Sequence, residues 1–157
     1  MPLMLVPLAI STGTLGLLVG ALLAEGCVLV PYWRSLPADV FFSMRRDFGP
    51  RLYRFFAPLT TTATLLTILS AVIEIVSPTH TARFSVAAAA LLALVMVAFY
   101  GLYFKRANAA FAAGLLSQGE LADELKRWAR WHWVRVGTGL AAFAASLTGL
   151  ATSRLIS

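Results

Sequence analysis

Four apolar runs, each about the length of a membrane-crossing helix, constrain this chain more than any motif it contains. A bilayer core of about 30 Å takes about 20 helical residues, and the runs cover roughly 3–30, 57–76, 84–104 and 134–154. The first is interrupted by Glu25 near its end and is expected to stop at Pro31. It has no basic leader and no small-residue cleavage site, so it reads as a span rather than a signal peptide. Composition agrees with this reading. Hydrophobic residues make up 59% of the chain and charged residues 13%, whereas a soluble domain carries about 25% charge to cover its surface. The 157 residues are read as one membrane domain, 1–157, with an all-α fold: a four-helix transmembrane bundle.

The charges sit in the gaps, and they sit unevenly. Arg34, Arg45, Arg46, Arg51, Arg54, Lys105, Arg106, Lys126, Arg127, Arg130 and Arg135 fall on the side of the two long connections. Arg83 and Arg154 are what remains of the 13 basic residues for the opposite side. Short loops rich in Lys and Arg stay in the cytoplasm. A multi-pass protein of the cell membrane is therefore expected, with both termini outside and both long loops cytoplasmic. The net charge of +6 then belongs to topology and to the lipid bilayer as partner, and nucleic acid is excluded as one.

Soluble-enzyme chemistry finds few of its usual signatures. The single cysteine, Cys27, permits no intrachain disulfide or cysteine metal cluster. His80 and His132 are too few for an all-histidine metal centre, and no phosphate loop, dinucleotide fingerprint or nucleophile elbow occurs. No cofactor and no metal are predicted. His80, in the short outer loop, reads as solvated.

Two gaps carry helical patterns of their own. Val40, Phe41, Met44 and Phe48 share one face, which predicts a short amphipathic helix lying in the interface between spans 1 and 2. Arg45, Arg46 and Asp47 would then turn to the headgroups, and Gly49-Pro50 would end the helix. In the second gap no Pro or Gly lies between Glu120 and Arg135. That segment is expected to be helical and continuous with the fourth span.

Inside the hydrocarbon the polar and small residues are few enough to weigh singly. Gly16 and Gly20 put small residues on one face of the first helix, a surface for close helix packing and for homo-oligomerisation. Thr60, Thr64, Thr67, Ala71 and Glu74 form a stripe expected to face the bundle. Glu25 is either an interfacial carboxylate or a proton acceptor facing inward. On the same side of the membrane, Trp128, Trp131, His132 and Arg135 fall within a helical arc of about 100°. An imidazole between indoles, with a guanidinium one turn deeper, suits an acidic or phenolic aromatic molecule; the alternative is an interfacial aromatic belt with a snorkelling arginine. An arginine at that depth is costly against lipid, so Arg135 is expected to turn inward and meet Glu25.

The layout resembles the family of small four-span membrane proteins that includes the fungal anthrone oxygenases. The matching pieces are the Gly-rich first helix ending in Val28-Leu29-Val30-Pro31-Tyr32-Trp33-Arg34-Ser35-Leu36-Pro37, Asn108 after the third span, and Trp131-His132-x-x-Arg135 at the start of the fourth. The resemblance implies a reaction in which an anthrone is oxidised to an anthraquinone by molecular oxygen without a dedicated cofactor. It also implies roles. His132 or Glu25 would be the base, Arg135 the oxyanion stabiliser, and Trp33, Arg34, Asn108, Trp128 and Trp131 the binding residues for a hydrophobic aromatic ligand. The other reading is a non-catalytic membrane subunit, or a protein for small-molecule binding or assembly.

Overall fold

The computed structural model describes residues 2–77 and 82–155, so His80 lies outside the described residues. Every regular element among them is helical: α1 (Pro2–Ala24), a π-helical turn (Glu25–Leu29), α2 (Val30–Ser35), α3 (Ala38–Val76), α4 (Arg83–Phe99), a second π-helical turn (Tyr100–Phe104), α5 (Lys105–Ala113) and α6 (Gln118–Leu155). Each π-turn joins its flanking helices end to end, so the chain makes four long rods. All four are long and apolar enough to cross a membrane. Both α3 and α6 pack on α1 and on α4, which puts α1 and α4 at opposite corners of an antiparallel bundle. Leu17, Leu65, Val76, Phe84 and Leu91 stand largely exposed on its outside, as side chains facing lipid would.

The rods are longer than the apolar runs, and this changes what the gaps are. The expected interfacial helix is not there: residues 38–48 are the first turns of α3, in line with its membrane segment. Pro31 does not stop the first helix either. Val30 N–H reaches back five residues to Glu25 O, one residue before a proline that has no N–H to give. The π-turn absorbs the fault, and the rod continues to Ser35. Gly49-Pro50 likewise leaves α3 unbroken, as does Pro58. An interior proline costs about 3 kcal/mol, and this stretch is mostly exposed. The buried residues Phe41, Phe42 and Arg45 on one side and Ala63, Thr64 and Thr67 on the other anchor both halves of α3.

At 39 residues, α3 is about 58 Å long, close to twice the hydrocarbon thickness. The surplus length builds an additional storey with an aromatic core: Trp33, Phe41, Phe42, Phe104, Phe111, Leu121, Leu125 and Trp128 pack together. Its closing turn is well specified. Gly114, at φ 65°, ends α5 in the left-handed conformation that glycine adopts freely. Ser117 and Glu120 then form a reciprocal capping box, with the Ser117 N–H donating to Glu120 at 2.8 Å. The Ala38 N–H donates to Gln118 Oε1 at 2.7 Å, which ties the starts of α3 and α6 together.

The mid-bundle layer is aliphatic: Leu15, Leu18, Leu22, Ala63, Ala93, Met96, Val136 and Ala142. The opposite end is held by hydroxyls. Thr12 and Ser146 meet at 2.7 Å, and Ser70 donates to Ser11 at 3.1 Å. The threonine stripe of α3 does face inward, with Thr64, Thr67 and Ala71 buried. Glu74 accepts from the Ala82 N–H at 2.7 Å and so caps the start of α4.

Candidate functional site

The site forms where the bundle meets its aromatic storey. Glu25 opens the first π-turn and is 5% exposed. Single π-turns are rare and recur at functional sites; this one sets a carboxylate facing α6. Arg135 Nη2 lies 3.1 Å from Glu25 Oε2, the pairing expected from depth. The same Nη2 lies 2.9 Å from His132 Nδ1. A guanidinium only donates, so Nδ1 accepts, and the ring proton sits on Nε2. From there it is donated to the Leu22 carbonyl at 2.9 Å. His132 is thus a neutral, fully buried imidazole with both nitrogens engaged. Its Nδ1 is 3.7 Å from Glu25 Oε2, too far for a hydrogen bond.

Packing holds the imidazole as firmly as its hydrogen bonds do. The Trp128 ring stacks on it with centroids 5.0 Å apart and planes 11° from parallel. On another side stands Gly26, where a Cβ would come within 3.1 Å of the ring; the glycine is what admits it. Trp33 and Phe104 meet Trp128 edge-on at 5.6 and 5.2 Å. Phe104, from the second π-turn, also lies under the Arg135 guanidinium at 4.4 Å.

A second guanidinium enters from α3. Arg45 is 9% exposed and donates through Nη2 to Asn108 Oδ1 at 2.8 Å, an oxygen that also accepts from Trp128 Nε1 at 3.2 Å. The Trp33 and Phe111 rings lie 5.3 and 5.9 Å from it, and it stands within Coulombic reach of Glu25. Expected among headgroups, Arg45 is instead buried. Once residues 38–48 continue α3 rather than lying flat, its face turns into the storey.

A family model described as anthrone oxygenase matches residues 50–145. The chain belongs to the anthrone oxygenase family. Neither the curated proteins nor the solved structures hold a match to it. The matched span contains Asn108, Trp128, Trp131, His132 and Arg135; Glu25, Trp33 and Arg45 lie before it.

Of the residues read from the sequence, this anthrone oxygenase family member brings Glu25, Trp33, Asn108, Trp128, His132 and Arg135 into one connected cluster. Trp131 stands apart, stacked on Tyr103 at 5.4 Å and edge-on to Phe99. Arg34 is exposed outside the cluster. Gly16 packs inside the chain, where a Cβ would meet Phe143 at 3.0 Å, whereas Gly20 opens outward. Arg45 and Phe104 are the members that sequence reasoning missed. The signal for Arg45 was available: it lies four residues after Phe41, on the same helical face.

Proposed function

We propose that this protein is an oxygenase that converts a lipophilic, anthrone-like aromatic to the corresponding quinone, using the substrate's own electrons and no dedicated cofactor. The observation that supports this best is a carboxylate and guanidinium, Glu25 and Arg135, paired at 3.1 Å beside stacked aromatic rings at the edge of the membrane region. Such a group serves a substrate that must ionise in an apolar setting. Glu25 takes a proton from the reactive CH2, and Arg135 brings positive charge to the enolate as it forms. The electron-rich carbon gives electrons to dioxygen and forms a C–O bond, yielding a hydroperoxide once protonated. Loss of the remaining C–H hydrogen and cleavage of the O–O bond leave a carbonyl and release water, so one oxygen atom ends in each product. His132 has both ring nitrogens in use. We therefore give it a positioning role: it fixes Arg135 and, through Leu22, joins α6 to α1.

The direct test is anthrone turnover by the purified protein in detergent, followed by quinone absorbance and oxygen uptake against the protein-free background. Glu25→Gln is expected to lower kcat about 10²- to 10⁴-fold, the usual range for a lost general base. Wild-type rates no faster than background would reject the reading. The basic, aromatic end is proposed to face the cytoplasm, with the cell membrane as location. Labelling of Arg34→Cys in a Cys27→Ser background, from inside only, is the expected result. A non-catalytic reading, as a binding or assembly subunit, draws support from the fully enclosed imidazole; wild-type turnover at the background rate with aromatic-ligand binding retained would favour it.

A further inference from the structure

Arg45 is a buried cation that the reaction above leaves without a task. Arg135 Nη2 is occupied by Glu25 and His132. Arg45, by contrast, makes no ion pair among the described residues. One neutral amide oxygen, that of Asn108, meets its Nη2, and its Nη1 is buried with no acceptor among the described residues. Around Glu25 the cluster therefore holds two guanidiniums against one carboxylate, with a neutral imidazole between them. A buried charge and an unanswered N–H both oppose folding, and an apolar side chain of similar volume would pack against the same rings without that cost. An anion at Nη1 would complete the arrangement. The Trp33 and Phe111 rings lie 5.3 and 5.9 Å from the guanidinium carbon, so an apolar, flat body suits this surrounding.

We propose that Arg45 seats the oxyanion of a lipophilic ligand through Nη1. In the oxygenase reading, on which this rests, the ligand is the enolate or phenolate of the polycyclic substrate. In an anthrone the reactive CH2 and the carbonyl stand across the central ring from each other, so the base and the oxyanion partner belong at different edges of the molecule. Glu25, from the first π-turn, attends the carbon, with Arg135 of α6 beside it lending positive charge to the delocalised enolate; Arg45, from α3, attends the oxygen itself. A fatty-acid carboxylate from the bilayer offers the same chemistry, an ionised oxygen on an apolar body, and the experiment separates the two.

The probes are 1,8-dihydroxyanthraquinone, whose phenolate absorbs at longer wavelength than its phenol, unsubstituted anthraquinone, and laurate. Each is titrated against the purified full chain in lipid nanodiscs, as wild type, Arg45→Gln, Arg45→Lys and the exposed control Arg54→Gln. Wild type is expected to bind the dihydroxy probe as phenolate at a pH where the free probe is still neutral. Arg45→Gln should weaken phenolate binding about 10- to 100-fold, the worth of a charge-assisted hydrogen bond. Anthraquinone binding should change less than about twofold, because burial of its rings needs no charge. Arg45→Lys should restore most of the phenolate band, and Arg54→Gln should match wild type.

Equal phenolate binding by wild type and Arg45→Gln would overturn the role of Arg45 and leave the oxygenase reading standing. Binding of the dihydroxy probe only as neutral phenol would do the same from wild type alone, whether or not the variants fold. Displacement of the probe by laurate with Arg45-dependent affinity would reassign the seat to a lipid carboxylate and overturn the aromatic assignment. Failure of wild type to bind either anthraquinone would overturn both readings.

Discussion

The two ends of this bundle are stitched by different chemistry. At one end, Ser11, Thr12, Ser70 and Ser146 pair across α1, α3 and α6, and Ser11 and Thr12 also donate to a carbonyl of their own helix. Those polar groups answer one another and ask for nothing else. At the other end, Arg45 Nη1 and Arg135 Nε are buried without acceptors among the described residues, and they carry charge, unlike the Thr64 and Ser153 hydroxyls that share that condition elsewhere in the bundle; a carboxylate and an imidazole beside them are already engaged. Interhelical hydroxyl bonds of the first kind contribute about 0.6 kcal/mol each in membranes, and they join helices adequately. Nothing about stability calls for two guanidiniums where hydroxyls suffice. The charged end is therefore read as functional and the hydroxyl end as structural.

The sharpest way to break that contrast is to unpair the charged end. Arg135→Ala leaves the Glu25 carboxylate, 6% exposed, without its partner, and should destabilise the bundle by about 3–5 kcal/mol. Unfolding in mixed micelles would measure it. Glu25→Gln added to Arg135→Ala should recover much of the loss while turnover stays absent. A double variant no more stable than the single one would mean that the carboxylate is not the source of the cost.

Overpacking one glycine at each end compares the two directly. A Cβ at Gly149 would come within 2.6 Å of Val86, and one at Gly26 within 3.1 Å of His132. Each alanine variant should lose about 1–3 kcal/mol. Gly26→Ala should also lose ligand binding and turnover, because the imidazole that positions Arg135 is displaced; Gly149→Ala should keep both once folded. Parallel loss of activity in the two variants would erase the distinction between the ends. The smallest effect is expected from Thr12→Val, which removes the hydroxyl facing Ser146 with little change of shape. About 0.6 kcal/mol should disappear in the same unfolding assay, with turnover unaltered.

How much was legible beforehand follows the same division. Helix existence and number were readable because apolar length is a property of the chain itself. So was the approach of Arg135 to Glu25, since a guanidinium at that depth has few acids to choose from. The helix boundaries at Pro31, Gly49 and Pro50 were misread. Local propensity stops a helix there, whereas a π-turn and burial on either side of the prolines carry it through.

That error had a consequence for the site. With residues 38–48 imagined flat on the membrane, Arg45 belonged to the headgroups; with α3 unbroken, it stands between Trp33 and Phe111. Trp131 shows the same limit from the other direction. Its helical arc is the one predicted, but which neighbour each side of that arc meets is settled by the third rod, which presents Tyr103 to Trp131 and Phe104 to Trp128. The sequence alone determined a four-span helical membrane protein with a carboxylate, an imidazole and an arginine near one end, because those follow from hydrophobic length, charge placement and helical period. Only the tertiary structure decided that the first gap continues α3 in line rather than lying flat, that the imidazole is enclosed, and that a second arginine joins the cluster. Those outcomes turn on contacts between rods far apart in sequence, which periodicity within one helix does not encode.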